Sequence, residues 1–138
     1  MSMTKRYPTV CPIVFSLDIF GDKWSLLILR DLIILNKRHF GDFLRSKERI
    51  ASNILTDRLE RFIQAGLVTK TDDPKNKSAA IYSPTSKALE LIPVMFSIMH
   101  WGLKYNPDTD MSIPVMQELK ADEKRLKERL LSQFSDAS

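Results

Sequence analysis

One cysteine, four glycines and two histidines among 138 residues leave little chemistry to distribute. A lone Cys11 cannot close an internal disulfide, so a reducing compartment is expected. His39 and His100 stand apart, with no third or fourth ligand at metal spacing. No metal or other cofactor is expected. There is no Gly-rich phosphate loop, no His-Glu-x-x-His and no nucleophile elbow, so nothing nominates a catalytic centre. No apolar run approaches the roughly 20 residues that cross a bilayer. The opening Met-Ser-Met-Thr-Lys-Arg does not lead into a signal-peptide pattern. The expectation is a cytoplasmic chain without a membrane partner.

What remains is a chain able to build one core, 43% hydrophobic and 28% charged. Its net charge of +4 is unevenly placed. Residues 1–106 hold 16 basic and 10 acidic side chains, whereas residues 107–138 hold 5 and 7. A mildly basic body with a slightly acidic tail suits a polyanionic partner.

The most informative stretch is Arg49 to Lys70. Leu55, Leu59, Phe62 and Ile63 fall on one stripe of an amphipathic helix. Ser52 is placed to cap it and Gly66 to close it. A strand at 67–71 follows, then a charged turn at 72–78 and a second strand at 79–83. Recognition helix followed by wing is the layout this predicts. Upstream, Pro12 opens a short helix over 13–20, where Ile13, Val14, Leu17 and Phe20 are apolar. Asp22 caps a helix over 23–35 so rich in Leu and Ile that it should be the buried centre of the domain. Phe40, Phe43 and Leu44 mark a short helix, and 46–51 turn the chain into the recognition helix, completing a helix-turn-helix.

Downstream, Ser86 can cap a long apolar helix over 86–105, with Pro93 imposing a kink or break in its first turns. Residues 107–113 read as a linker. Pro114 to Phe134 reads as a last helix with Met116, Leu119, Leu126 and Leu130 at heptad-like spacing and Glu123 interrupting it. The division is a winged helix-turn-helix domain over 1–106 and a linker plus C-terminal helix over 107–138, the latter associated with a dimer.

Gly-Asp-Lys-Trp-Ser-Leu-Leu-Ile-Leu-Arg at 21–30, Leu-Thr-Asp-Arg-Leu at 55–59 with Ala-Gly-Leu-Val at 65–68, and the block 93–101 together resemble the HxlR-type transcription regulators. These are MarR-related winged-helix proteins, and the resemblance runs from Cys11 to about Tyr105. It implies a mainly α fold with a small β-hairpin, N- and C-terminal dimerisation helices, and a homodimer on a double-stranded DNA operator. Pro84 and Ala88 depart from the family pattern after the wing, and the chain beyond about 110 is longer than the family's tail.

The candidate DNA-binding residues are Arg38, Ser52, Asn53, Thr56, Asp57, Arg58, Arg61, Lys75, Asn76 and Lys77. Short polar side chains at 52, 53 and 56 suit the end of a recognition helix that enters the major groove, where Asn reads adenine and Thr offers a hydroxyl or methyl. Asp57 is tolerable there if it meets a cytosine amine or pairs with Arg61 one turn on. Arg58 is assigned to a phosphate or a neighbouring backbone carbonyl. Lys75, Asn76 and Lys77 form the wing tip; the plainer reading is a polar turn kept for solubility. Trp24 and Trp101 lie in apolar stripes and are assigned to core or dimer packing.

Cys11 precedes the first turn of a helix, where free N–H groups make a thiol reactive. The resemblance adds that some relatives sense quinones or oxidants through a cysteine in the same Cys-Pro context, so Cys11 is a candidate redox or electrophile sensor. The alternative is a small packing residue. Two rivals to the whole reading stand beside it: a winged-helix protein-interaction module without DNA binding, and a small electrophile-consuming enzyme with only this thiol to offer.

Overall fold

A computed structural model describes residues 9–134. Residues 1–8 and 135–138, which open and close the two regions assigned from sequence, lie outside the described residues. Helix α1 spans Pro12–Phe20 and α2 spans Lys23–Leu29. The latter continues without interruption into a π-helical turn, Arg30–Ile34. Helix α3 is Phe40–Leu44, α4 is Ser52–Gln64, and strands β1 (Val68–Asp73) and β2 (Asn76–Pro84) form the hairpin. Helices α5 (Ser86–Leu89), α6 (Ile92–Tyr105), α7 (Pro114–Ala121) and α8 (Glu123–Ser132) follow.

As the density of Leu and Ile required, α2 and its π turn form the centre: Ile28, Leu29, Leu32, Ile33 and Ile34 are all buried. Asp22 starts this element, accepting from the Ser25 backbone N–H at 3.2 Å. The π turn closes with Leu35 N–H donating to the Arg30 carbonyl at 3.1 Å, one residue further than an α-helix reaches. Asn36 then takes a left-handed backbone, φ 56°, which asparagine tolerates better than most residues and which ends the helix.

Helix α4 presents Leu55, Leu59 and Phe62 to this centre, all buried. Burial of each such side chain stabilises the fold by about 1.5–3 kcal/mol. Gly66 follows with φ 78°, the backbone that turns the chain into β1. The strands pair antiparallel from Val68↔Pro84 to Asp73↔Asn76, with an irregularity between Asp72 and Asp73. The segment before α3 joins them through a backbone hydrogen bond, Tyr82 N–H to the Arg38 carbonyl, at 2.8 Å.

Several expectations are corrected. The α4 cap position is Ala51, not Ser52, which is already helical, and no side chain caps that end. The strands outrun their apolar residues, and the turn shrinks to Pro74-Lys75, because backbone pairing continues through polar positions that alternation does not mark. Thr85 rather than Ser86 caps α5: its Oγ1 accepts from Ala88 N–H at 3.3 Å and donates to the Gly66 carbonyl at 2.6 Å. The long helix breaks, as Pro93 demanded, between α5 and α6, with Pro93 in the first turn of α6, where a missing N–H costs nothing.

The tail is not one helix. Asp122 leaves helical geometry (φ −161°, ψ 92°), ending α7 and capping α8 by accepting from Arg125 N–H at 3.1 Å. The two short helices bury Val115, Leu119, Leu126 and Leu130, and the turn after them Phe134, in the same core as the body. The apparent heptad repeat is therefore the inner face of a helical hairpin. No helix of the described residues is long and apolar enough to cross a membrane.

Candidate nucleic-acid interface

Ser52, Asn53 and Thr56 are exposed at the N-terminal end of α4, on the side away from the buried stripe. The Thr56 hydroxyl donates to the Ser52 carbonyl one turn back at 2.9 Å. Its proton is thereby used, and its oxygen can only accept from a partner.

Asp57, Arg58 and Arg61 are brought together. The Asp57 carboxylate lies 2.7 Å from Arg58 Nη1 and 3.3 Å from Arg61 Nε, so its charge is compensated within the helix, by Arg61 as expected and by Arg58 as well. Arg58 also donates through Nε to Asp22 Oδ2 at 3.0 Å. Two carboxylates rather than a backbone carbonyl hold Arg58, and it ties the recognition helix to the cap of α2. Sequence reasoning missed this because Asp22 lies 36 residues away. Burial pushes the Asp22 carboxyl up, but hydrogen bonds from Ser25 and Arg58 outweigh it and hold the group below its ordinary value.

The wing tip carries Lys75, Asn76 and Lys77, all exposed. Lys75 N–H donates to Asp73 Oδ1 at 2.9 Å, and Asn76 Oδ1 accepts from Ser78 N–H at 3.2 Å and Ser78 Oγ at 2.7 Å. The tip is thus a shaped turn with two lysines on it. His39, just before α3, reaches across to the wing: its Nε2 is 3.1 Å from Asp73 Oδ2.

Arg38 stands apart from both groups. Its Nε donates to Asn36 Oδ1 at 2.9 Å and its Nη1 to Ser83 Oγ at 3.1 Å, while the Phe134 ring covers the guanidinium with its centroid at 4.8 Å. That burial lowers its pKa from the ordinary arginine value. Cys11 is likewise remote, half-buried at the cap position of α1, with Pro12 in the first helical turn as expected.

Two supports of the helix-turn-helix were not foreseen. The first is a buried polar cluster. Asp31, 3% exposed, accepts from Arg30 at 2.9 and 2.7 Å, from Lys37 at 3.3 Å, and from the Ser46 hydroxyl. Arg30 extends the cluster to Glu48 through two hydrogen bonds of 2.8 and 2.9 Å. Hydrogen bonding from Arg30, against a smaller opposing effect of burial, holds Glu48 at about 2. The cluster locks the π turn to the turn between α3 and α4; a buried Asp beside Arg in an apolar run was its only sequence signal. The second support is Lys87, whose Nζ donates to the Ala65 carbonyl at 2.7 Å, placing a cation at the C-terminus of α4.

A capped central helix, a short brace, a helix with a polar exposed end, and a hairpin with a basic tip form a winged helix-turn-helix. Residues 19–110 match the model of the HxlR-like helix-turn-helix family. The chain belongs to that family. Among HxlR-like relatives, the HTH-type transcriptional regulator YdeP of Bacillus subtilis (strain 168) is 30% identical over 100 residues, covering 72% of this chain and 77% of YdeP. Among solved structures, PA1607, a candidate transcription factor, aligns with a TM-score of 0.66 at 34% identity, covering 74% of this chain and 71% of its own. The redox regulator HypR in its oxidized form aligns with a TM-score of 0.61 at 27% identity, covering 72% and 100%. This HxlR-like chain is accordingly a transcriptional regulator with a helix-turn-helix DNA-binding domain.

Proposed function

We propose that the chain acts in the cytoplasm as a homodimer that binds a short, roughly palindromic operator and thereby regulates transcription, without catalysing a reaction. The observation that carries this reading is the pairing of a polar recognition end with two uncovered apolar helices. In α1 no residue is buried, and Ile13, Val14, Phe15 and Leu17 are exposed. On α6, Ile98, Trp101 and Tyr105 are exposed, with Trp101 at 69%. Apolar surface of this extent marks an interaction site. A twofold pair built on α1 and α6 would set two recognition helices about one helical turn apart, roughly 34 Å. Within each half, Ser52, Asn53 and Thr56 would face base edges. Asp57, Arg58 and Arg61 would form a self-compensated group beside them, and Lys75, Asn76 and Lys77 would lie along the neighbouring backbone. Arg38 would contribute at the edge of the wing.

The test is selection of bound sites from genomic fragments, followed by salt-dependent gel shifts and sedimentation of the complex. Two chains per site with steep salt dependence support the reading. A protein that stays monomeric and binds selected and random DNA equally weakly sinks it, leaving the protein-interaction module.

The regulator would respond to oxidants or electrophiles through Cys11. Its position at the cap of α1, one of the two proposed pairing helices, supports this, as does the description of HypR as a redox regulator. A mixed disulfide with a small thiol, a quinone adduct or a Cys11–Cys11 bridge would each alter how α1 pairs. DNA affinity before and after diamide or quinone treatment, in wild type and Cys11→Ser, decides the point. Unchanged affinity with Cys11 modified by mass removes the sensor.

A further inference from the structure

A cavity of about 360 Å³ lies between the π turn, the α3–α4 turn, α6 and the start of α7. That is within the size range of small-molecule sites, at its lower end of roughly 300 Å³. One wall is cationic, formed by Arg30, Lys37, Arg45 and Lys47 against a single acid, Glu48. The rest of the lining is largely apolar, formed by Ile34, Leu35, Met99, Ile113, Val115 and Met116. The cations differ in what they have left to offer. Arg30 is committed to Glu48 and Asp31, and Lys37 to Asp31 and Ser46. Lys47 and Arg45 are exposed, Arg45 with a contact to Asp42 at 2.8 Å and Lys47 close enough to Asp110 to help hold that carboxyl below its ordinary value. From this cavity a second one of about 150 Å³ runs on between α2 and α6, lined by Leu26, Leu27, Met95 and Ile98 and sharing Arg30, Ile34 and Met99 with the first. Beyond Arg30, which lines both, the second cavity is lined by aliphatic and methionine side chains, and among the described residues no aromatic side chain lines either one.

We propose that this space binds a straight-chain aliphatic carboxylate, its head at Lys47 and Arg45 and its chain running past Met99 into the α2–α6 groove, and that occupancy alters DNA binding. An anionic head answers the exposed cations, and a flexible unbranched chain answers two adjoining apolar-lined cavities whose methionines can adjust to it. Ile113, Val115 and Met116 lie beyond residue 110, where the family match ends, so part of the site is built by this chain's own C-terminal extension. The route to DNA is short: Ser46 and Glu48, which line the cavity, belong to the turn that leads into α4 and are held by the cluster around Asp31. The regulatory half rests on the proposed DNA binding; the binding half does not.

The experiment is calorimetric titration of the full chain, without DNA, with decanoate and with decanol as its neutral counterpart. One decanoate per chain is expected, bound at least tenfold more tightly than decanol. Lys47→Glu should weaken decanoate at least tenfold and leave decanol unchanged. Met99→Trp should remove both, with an unchanged circular dichroism spectrum showing that the variant folds. Equal binding of acid and alcohol would overturn the carboxylate assignment, and no binding of either would overturn the site. Gel shifts on the selected operator with saturating decanoate then read regulation: a threefold or larger change in affinity supports it, and no change overturns that half alone.

Discussion

Arg58 shows how a residue's surroundings decide its role. With Asp22 on one side and Asp57 on the other, it fixes the orientation of α4 on α2 before any DNA arrives. Arg58→Ala should therefore lower the melting temperature as well as operator affinity, whereas Asn53→Ala should leave the melting temperature unmoved. Asn53→Ala and Thr56→Ala should each cost about 1–3 kcal/mol on the operator and much less on random DNA, measured by competition gel shift. Equal losses on both DNAs would take them out of base reading. Because the Thr56 hydroxyl proton is spent on Ser52, Thr56→Ser should retain an acceptor and lose only what the methyl contributes.

The Asp31 cluster carries two further expectations at this scale. Asp31→Ala leaves Arg30 and Lys37 facing each other without their shared carboxylate and should destabilise the fold by about 3 kcal/mol in urea titration. Glu48 is held at about 2, below its ordinary 4.5. A depressed carboxylate stabilises the folded state above its unfolded value and loses that contribution as pH falls through the folded one. The stability gap between wild type and Glu48→Gln should be full above pH 4.5 and close towards pH 2, read from thermal melts across that range.

Among the elements, those with a strong helical period were legible before the structure: α1, α2, α4 and α6 lie where their apolar residues recur. The π turn was invisible because an extra residue within a run of Leu and Ile changes no pattern when every face is buried. Asp122 was equally hidden, one acid among many in a charged tail, although it both ends α7 and starts α8. Local polar groups were read one residue off at two helix starts, since Ser52 and Ala51, or Ser86 and Thr85, differ only in backbone angles. The site divides the same way. Its exposed candidates on α4 and the wing follow from pattern. The pairings Arg58–Asp22, His39–Asp73 and Arg38–Phe134 required chain crossings that no spacing encodes. Removal of the chain after Tyr105 tests the tail hairpin. It uncovers the side chains that Val115, Leu119, Leu126 and Phe134 pack against, so stability should fall markedly while the proposed α1–α6 pairing persists in sedimentation.

Taken as a whole molecule, charge and apolar surface occupy different places. Two exposed lysines sit on the wing tip, and most of the uncovered large apolar side chains among the described residues sit on α1 and α6. Lys75→Ala with Lys77→Ala should weaken operator and random DNA alike and reduce the salt slope by about 1 for each phosphate no longer neutralised. Trp101→Glu should shift sedimentation towards monomer and weaken operator binding in proportion. An intact dimer in that variant would place the pairing surface elsewhere.

The π turn has a kinetic consequence. Leu32 and Ile33 are wholly buried, yet the hydrogen bonds around them follow the wider spacing that helices sustain for only a turn. Burial and amide protection should therefore part company. In deuterium exchange, the backbone amides of Leu32 and Ile33 should trade their protons faster than those of Leu55 and Leu59, which lie equally deep in ordinary α-helix. A segment that carries two of the most deeply buried side chains among the described residues would then also be one of the readiest to open, placed where it meets the turn that carries the recognition helix.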